Sequence, residues 1–334
     1  MEVLLILPIA ISFLICLFFM PLWIKKAKKI GLIWENMHVY GFPKNIAGSG
    51  GIIVLFGFII GVLSYIAIKT FVLKTDITTL EIFALLSTVL IAGIIGFVDD
   101  IFGWVHGGLS AEFRIFLMLI AAIPLMVINA GESVIIGIEV GWLYPLILIP
   151  LGIVGATTTF NILAGYNGLE ASQGILILSG LSVVTWFTGS TWLTLISLCM
   201  IVCLLAFYIF NKYPAKVLPG DVLTYSVGAL IAIIAILGNI EKIAVFFFIP
   251  YILETVLKLR GNLKKQSFAK VNEDGSLNVP YDKFYGLEHI SIYLLKKVKK
   301  DKKIKETEVV LLINLFQTLI IMTGLIIFRS SIFI

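Results

Sequence analysis

Ten apolar runs, separated by segments that contain most of the polar residues, organise this chain. An α-helix rises about 1.5 Å per residue and the hydrocarbon layer of a bilayer is about 30 Å thick, so roughly 20 apolar residues cross it. The runs therefore predict an all-α polytopic membrane protein with about ten transmembrane helices, in which residues 1–334 form a single integral membrane domain. The predicted spans cover about 3–24, 46–68, 80–98, 113–129, 142–160, 173–190, 192–210, 222–238, 243–257 and 309–328.

The composition agrees with a membrane protein. Of the 334 residues, 60% are hydrophobic and 13% are charged, whereas soluble proteins contain about 25% charged residues. The three cysteines all lie within apolar runs, which favours packing residues over a disulfide or a metal framework. The composition therefore excludes a soluble globular domain.

The distribution of lysine and arginine predicts the orientation in the membrane. Of these 25 residues, 21 lie in the loops after the odd-numbered spans or at their flanks. By the positive-inside rule these loops are cytoplasmic, and both termini lie outside. The net charge of +5 reflects this topology, so no nucleic-acid partner is expected. The long loop 258–308, between spans 9 and 10, is predicted to form a small mixed α/β cytoplasmic subdomain.

Four consecutive cytoplasmic loops contain acids, amides and bases close to the helix ends. Asp99 and Asp100 end the third span, and the other polar segments are 41–51, 161–173 and 211–221. The paired acids alone are also compatible with a solvated helix end or a helix cap. Carboxylate and amide oxygens suit Mg²⁺, while arginine and lysine suit phosphate. A transporter or flippase with an anion site remains an alternative, although transporters place such groups nearer the bilayer midplane. The pattern favours an enzyme that joins a soluble phosphorylated donor to a membrane-embedded acceptor.

Three motifs extend this interpretation by resemblance. The segments 96–100 (GFVDD), 161–170 (NILAGYNGLE) and 213–221 (YPAKVLPGD) resemble signatures of the polyprenyl-phosphate N-acetylhexosamine-1-phosphate transferases. They are most similar to the dolichyl-phosphate N-acetylglucosamine-phosphotransferase branch, which starts assembly of asparagine-linked glycans. The resemblance implies Mg²⁺-dependent transfer of N-acetylglucosamine 1-phosphate from UDP-N-acetylglucosamine to a polyprenyl (dolichyl) phosphate at the cytoplasmic face, with release of UMP. The same chemistry with a different UDP-sugar is an alternative, and a homodimer is expected from the resemblance.

The resemblance also assigns roles by position. It implies that Asn161 and Asp221 bind Mg²⁺, that Asn167 contacts the uracil edge and that Arg114 binds phosphate. Asp99 and Asp100 correspond to the acidic pair of the family. Because the second pKa of a phosphate monoester is near 6, the lipid phosphate is largely a dianion and hardly needs a strong base. We therefore expect the pair to position a cation first and to abstract a proton second. The expected substrate-binding residues are Asn167, Gly165, Leu218, Lys264, Lys265 and Lys44.

Two departures from the family pattern stand out. The basic histidine or arginine motif of the last cytoplasmic loop is represented here by Lys264 and Lys265, which leaves sugar recognition open. Leu218 stands where the family tends to place a phenylalanine against uracil.

His289 is interpreted as a surface residue, and core packing is the favoured interpretation of Tyr225.

Overall fold

A computed structural model describes residues 2–75, 77–131, 134–135, 138–300 and 303–333 of the chain. The helices are α1 (Ile6–Ile30), α2 (Gly51–Ala67), α3 (Thr79–His106), α4 (Ala111–Ala121), α5 (Ile123–Val127), α6 (Ile149–Ile162), α7 (Leu169–Phe187), α8 (Thr191–Asn211), α9 (Asp221–Leu237), α10 (Glu241–Phe247), α11 (Ile249–Arg260), α12 (Leu287–Val298), α13 (Glu306–Ile327) and α14 (Arg329–Ile332). Three antiparallel hairpins pair β1 (Ile33–Glu35) with β2 (Lys44–Ala47), β3 (Val134–Ile135) with β4 (Ile138–Glu139), and β5 (Lys270–Val271) with β6 (Leu277–Asn278).

The long apolar helices make this an integral membrane protein. Among the described residues, seven helical stretches are long and apolar enough to cross a membrane. They are Ile6–Ile30, Gly51–Leu73, Thr79–Val105, Tyr144–Ile162, Leu169–Phe187, Thr191–Asn211 and Glu306–Ile327. Of the other three predicted spans, 222–238 corresponds to the shorter helix α9. The number of ten spans stays a prediction.

The two remaining predicted spans coincide with broken helices. Residues 113–129 contain most of α4 and all of α5, and residues 243–257 contain most of α10 and most of α11. Pro124 and Pro250 lie near the starts of α5 and α11. A proline has no N–H to donate and is best accommodated in the first turn of a helix, so it marks a new helix start within each apolar run.

Helix α9 lies at the centre of the bundle. Every residue from Val222 to Ile236 is buried, because α9 packs against α2, α3, α6 and α7. A helix that is apolar on all sides is expected in such a position. Helices α3 and α9 are in close contact at Gly93 and Gly96 of α3, because a Cβ atom added to either glycine would collide with atoms of α9. This packing places the start of α9 beside the end of α3.

Gly96→Ala is expected to disturb this contact. A Cβ atom at Gly96 would lie 2.4 Å from the carbonyl oxygen of Asp221, which belongs to backbone and cannot rotate away. Overpacking of this kind costs roughly 1–3 kcal/mol, so we expect a lower melting temperature in detergent together with lower activity. Gly155→Ala is the matched control, since its Cβ would have no neighbour within 4 Å. Equal melting temperatures for the two variants would contradict the close α3–α9 contact.

The predicted loop subdomain 258–308 contains the β5–β6 hairpin and α12. Asp301 and Lys302 of this segment lie outside the described residues. The interpretation of His289 as a surface residue is wrong: its side chain is fully buried, and its Nδ1 accepts the N–H of Tyr285. Burial, with a smaller effect of Lys258, lowers the pKa of His289 to about 4, so the imidazole is neutral at physiological pH.

Candidate functional site

The end of α3 is bonded to the start of α9. Asp100 Oδ1 accepts the N–H of Asp221 at 2.7 Å, and Asp100 Oδ2 lies 3.5 Å from the N–H of Val222. The first N–H groups of a helix lack partners within the helix and favour a negative charge, so this carboxylate stabilises the start of α9. Gly220 has a φ of +72°, and a Cβ there would lie 2.2 Å from Asp100 Oδ2. Only glycine leaves room for this contact.

Asp221 is also held from the side of α6. Asn161 Nδ2 donates to Asp221 Oδ1 at 2.6 Å and to Thr224 Oγ1 at 2.8 Å. Because both bonds use the amide nitrogen, the amide oxygen is the atom that Asn161 offers to a ligand. Asn161 and Asp221, which are 60 residues apart in sequence, are therefore direct neighbours.

Asp99 organises the turn between α3 and α4. Its Oδ1 accepts the N–H of Leu109 at 2.8 Å, and its Oδ2 accepts the hydroxyl of Tyr225 at 3.2 Å. Arg114 Nε lies 3.2 Å from Asp99 Oδ2 and donates to the carbonyl of Leu109 at 3.0 Å. Tyr225 is thus buried and also has a polar role. Asp99 fixes the position of a half-exposed guanidinium.

The loop between α6 and α7 is held by two buried glutamates. Glu170 Oε1 accepts the N–H of Gly165 at 2.7 Å. Glu306, at the start of α13, accepts the Asn167 backbone N–H at 2.6 Å through Oε1 and the Asn167 Nδ2 at 3.3 Å through Oε2. Phe268 lies against Gly165, where a Cβ would approach the phenyl ring to 2.7 Å. This loop is therefore anchored to α13 and to the segment after α11.

His38, in the segment between β1 and β2, completes the same region. Its ring lies 4.0 Å from the ring of Tyr166, and its Nδ1 lies 3.2 Å from Glu306 Oε1. Burial, with smaller effects of the Glu288 and Glu306 carboxylates, raises the pKa of Tyr166 well above its usual value. Tyr166 is therefore a neutral, rigid surface behind the imidazole.

The β1–β2 hairpin is attached to the segment before α9. Ala47 forms a parallel bridge to Val217, and its carbonyl accepts the N–H of Leu218 at 2.8 Å. The N–H of Gly50 donates to the carbonyl of Leu218 at 2.9 Å. These backbone bonds bring Leu218 and the exposed Lys44 to one side of the same cavity.

These side chains line a single cavity of about 740 Å³. The predicted site residues that line it are Asp99, Asp100, Arg114, Asn161, Gly165, Asn167, Asp221, Leu218 and Lys44. Lys264 and Lys265 are exposed and are not among the residues that line it; Lys265 Nζ instead lies 4.9 Å from the centre of the Tyr281 ring. Phosphate binding by these two lysines stays a prediction.

Sequence reasoning missed four residues of this region: His38, Thr224, Phe268 and Glu306. Three of them line the cavity. Glu306 does not line it, but its carboxylate contacts His38 and Asn167, which do. None of the four belongs to the segments that resembled family signatures. Thr224 comes nearest, three positions after the last of these segments. That spacing, one turn into α9, was the available signal for Thr224.

The donor atoms at the α3–α9 junction fit a magnesium ion. Within the described part of the chain, no three acid, histidine or cysteine side chains form a ready metal cage. Mg²⁺ does not require one, because it is commonly bound by one or two carboxylates together with substrate phosphates and water. Asp221 and the amide oxygen of Asn161 provide such a partial set, and Asp100 lies next to it.

Residues 82–239 match the family model of glycosyl transferase family 4. This stretch contains Asp99, Asp100, Arg114, Asn161, Asn167 and Asp221.

Similar proteins cover most of the chain. A Saccharolobus solfataricus protein provisionally named UDP-N-acetylglucosamine–dolichyl-phosphate N-acetylglucosaminephosphotransferase is 38% identical over 318 residues, 92% of each chain. A Sulfolobus acidocaldarius protein with the same provisional name is 33% identical over 271 residues, 79% of this chain and 78% of the other. A phospho-N-acetylmuramoyl-pentapeptide-transferase of Streptococcus pyogenes is 30% identical over 258 residues, 73% of this chain and 76% of the other.

Proposed function

This chain belongs to glycosyl transferase family 4, and from that premise we propose that it transfers N-acetylglucosamine 1-phosphate from UDP-N-acetylglucosamine to a polyprenyl phosphate such as dolichyl phosphate. UMP is the second product, and the lipid-linked sugar starts the assembly of a glycan for asparagine-linked glycosylation. The names of the archaeal relatives support this donor and acceptor. The observation that carries the proposal is the single cavity in which Asp99, Asp100 and Asp221 meet Arg114 and Asn161.

In the proposed reaction, an oxygen of the lipid phosphate attacks the β-phosphorus of the donor. A new P–O bond forms to the lipid phosphate, and the bond between the β-phosphorus and the bridging oxygen breaks, so that this oxygen leaves with UMP. Transfer between phosphates depends mainly on placement and charge stabilisation. No strong base is needed, since the attacking phosphate is largely a dianion at neutral pH.

The residues of the cavity have separate roles in this reaction. Asp221 and Asn161 would hold Mg²⁺, which when bound neutralises the charge of the diphosphate. Arg114 contributes a planar cation with several N–H donors, which suits phosphate oxygens. Asp99 holds Arg114 in place, and Asp100 holds the start of α9, on which Asp221 lies. Both acids of the pair therefore act by positioning the groups that contact the diphosphate.

We place this reaction at the cytoplasmic face, with both termini outside. The concentration of lysine and arginine in the loops after the odd-numbered predicted spans supports this orientation. The cavity lies at the ends of α3 and α6 and at the start of α9, where an acceptor phosphate at the membrane surface meets a soluble donor. A homodimer is proposed from family resemblance.

The activity is tested by mixing the purified protein with polyprenyl phosphate, Mg²⁺ and each member of a panel of UDP-sugars. We expect UMP and lipid-linked sugar in equal amounts, with UDP-N-acetylglucosamine as the preferred donor. Omission of the lipid is the control and should give no UMP. Faster turnover with UDP-N-acetylmuramoyl-pentapeptide would change the proposed donor. Uptake of UDP-sugar into protein-containing vesicles without UMP release would identify a transporter and reject the proposal.

Removal of the metal is expected to stop the reaction. EDTA should reduce UMP release to background. Asp221 and Asn161 form only a partial ligand set, which binds a divalent ion too weakly to compete with the chelator. Addition of Mg²⁺ in excess of EDTA should restore the rate, whereas the same concentration of NaCl should not. Full activity after exhaustive EDTA treatment would contradict the proposed Mg²⁺ requirement.

A further inference from the structure

We propose that Glu288 is a protonated carboxylic acid and a pH-sensitive latch: it keeps the start of α12 packed behind the cavity wall and releases that wall when it ionises. This inference concerns regulation of the site already described, and its activity readout rests on the proposed function. Glu288 lies between α11 and α13 in sequence and is not among the residues that line the cavity. It acts through Phe268, which does line the cavity.

The first observation is a buried carboxyl group without partners. Glu288 is fully buried, and both of its carboxyl oxygens lack a hydrogen bond to any other residue in the described ranges. Burial, with a smaller effect of Glu254, raises the pKa of Glu288 well above its usual value. Its own backbone N–H and Lys258 favour the ionised form, but their effect is smaller than that of burial. Glu288 is therefore a neutral acid around neutral pH, because a buried carboxylate without partners costs more free energy than the protonated group.

The second observation is the carboxyl group of Glu254, on α11, beside this acid. A Cβ atom added to Gly286 would lie 2.5 Å from Glu288 Oε2 and 3.0 Å from Glu254 Oε1, so the two groups meet at this glycine. Glu254 Oε2 accepts the N–H of Leu287 at 2.6 Å, and Lys258 Nζ lies 3.9 Å from Glu254 Oε1. These contacts place the negative charge of the pair on Glu254. Ionisation of Glu288 would bring a second negative charge next to the first.

The other titratable groups around Glu288 do not compensate a second charge. The elements packed near it present acids or neutral groups: Glu170 of α7, Tyr166 of the loop before α7, His289 of α12, and Glu306 and Glu308 of α13. Lys299, at the far end of α12, pairs with Glu308 at 2.8 Å. Lys258 is the cation that faces the pair, and it is already placed beside Glu254.

The pair is connected to the cavity through Ser267 and Phe268. Glu254 Oε1 accepts the hydroxyl of Ser267 at 3.4 Å, and the carbonyl of Ser267 accepts the hydroxyl of Tyr166 at 3.5 Å. Phe268 follows directly in the chain and lines the cavity. A charged Glu288 must move toward water, which draws the first turn of α12 away from Glu254 and loosens the Ser267 contact. The cavity wall at Phe268 then loses its support.

The direction of the pH dependence follows from the proton on Glu288. The closed form binds one proton more than the open form, so it is stable at low pH and is lost as the pH rises through the pKa of Glu288. With one proton released, the ratio of open to closed protein rises about tenfold per pH unit. We expect the KM for UDP-N-acetylglucosamine to be constant at low pH and then to rise with a limiting slope of about tenfold per pH unit. The value of kcat should change little, because saturating donor restores the closed form.

The experiment measures this KM from about pH 6 to about pH 9 in the full-length protein and its variants. Glu288→Gln imitates the protonated acid and cannot ionise, so it should keep the wild-type KM at neutral pH and lack the alkaline rise. Asp282→Asn is the matched control, because it removes an exposed carboxylate of the same loop, and it should keep the rise. All variants use the same substrates, so ionisation of the substrates affects each of them equally. Glu288→Met serves in place of Glu288→Gln if that protein does not fold.

Two further measurements do not depend on turnover. Infrared spectroscopy at neutral pH should show the C=O stretch of a protonated carboxylic acid that is absent from Glu288→Gln and that disappears from the wild type at alkaline pH. Amide hydrogen exchange near Phe268 and in the first turn of α12 should be equal in the two proteins at neutral pH. At alkaline pH it should be faster in the wild type than in Glu288→Gln.

The possible outcomes are distinguishable. An alkaline rise in KM that is absent from Glu288→Gln, together with loss of the infrared band, supports the inference. Identical pH profiles of KM in the two proteins would overturn it, and so would a Glu288 that is already ionised at neutral pH. A KM that depends on added K⁺ or Ca²⁺ instead of pH would assign the pair to a cation and overturn it as well. Infrared and exchange changes in a wild-type protein that releases no UMP would retain the latch and reject the proposed function.

Discussion

Asp221→Ala is expected to reduce turnover by roughly a thousandfold or more. Metal-assisted charge stabilisation contributes several kcal/mol to a transition state, and about 4 kcal/mol corresponds to this factor. Asp221 lies at the first position of α9, where Asp100 accepts its N–H and Asn161 donates to its carboxylate. Alanine keeps the backbone contact with Asp100 and removes the oxygens that would hold the metal.

Asn161→Ala should have a similar effect, because the proposed ligand set loses its amide oxygen and Asp221 loses its side-chain partner. The measurement is UMP release at saturating donor and lipid, together with the Mg²⁺ dependence of the residual rate. Asp282→Ala is the control, since it removes an exposed carboxylate of the last loop that does not line the cavity. A folded Asp221→Ala protein with near wild-type turnover would exclude the assignment of Asp221 to the metal.

Asp99→Asn should be less severe, with a loss of roughly tenfold to a hundredfold and a measurable residual rate. Asparagine retains an oxygen that accepts the N–H of Leu109, but its amide nitrogen then replaces the charged oxygen that faces Arg114. A hydrogen bond to a charged group contributes about 1.5–3 kcal/mol, which corresponds to this range. The chemistry would continue, since the lipid phosphate needs no strong base.

Tyr225→Phe is the matched variant for Asp99→Asn. It removes the hydroxyl that donates to Asp99 Oδ2 at 3.2 Å and leaves both the carboxylate and Arg114 in place, so its effect should be smaller. The decisive comparison is between Asp99→Asn and Asp221→Ala, with donor and metal binding measured separately. If Asp99→Asn is as inactive as Asp221→Ala although the Asp99→Asn protein still binds donor and Mg²⁺, Asp99 is a proton-abstracting base and our assignment is wrong.

Much of the membrane architecture is predictable because its cause is local. A helix in hydrocarbon satisfies its own backbone hydrogen bonds, and the bilayer determines its length, so an apolar run of sufficient length predicts a span directly. The runs around Pro124 and Pro250 are less regular, since each contains a helix start within the apolar stretch. The central position of α9 was also not predicted, because burial on all sides by protein and exposure to lipid require the same apolar residues.

Part of the candidate site is predictable for a different reason. Four polar residues lie at the ends of apolar runs: Asp99, Asp100, Asn161 and Asp221. A charge or an amide near hydrocarbon costs free energy, so its presence there indicates a function. Resemblance to known motifs added their roles. Lys264 and Lys265 show the limit of this approach, since they were chosen by position in the last loop and are not among the residues that line the cavity.

The crossing of the membrane and the placement of acids and amides at helix ends could be inferred before the structure, because both follow from the cost of exposing polar groups to hydrocarbon. The contacts of Glu306, at the start of the last long helix, with both His38 and Asn167 became evident only from the packing of the folded chain. The partners of a buried polar atom are determined by three-dimensional packing, and residues distant in sequence leave no local pattern of that contact.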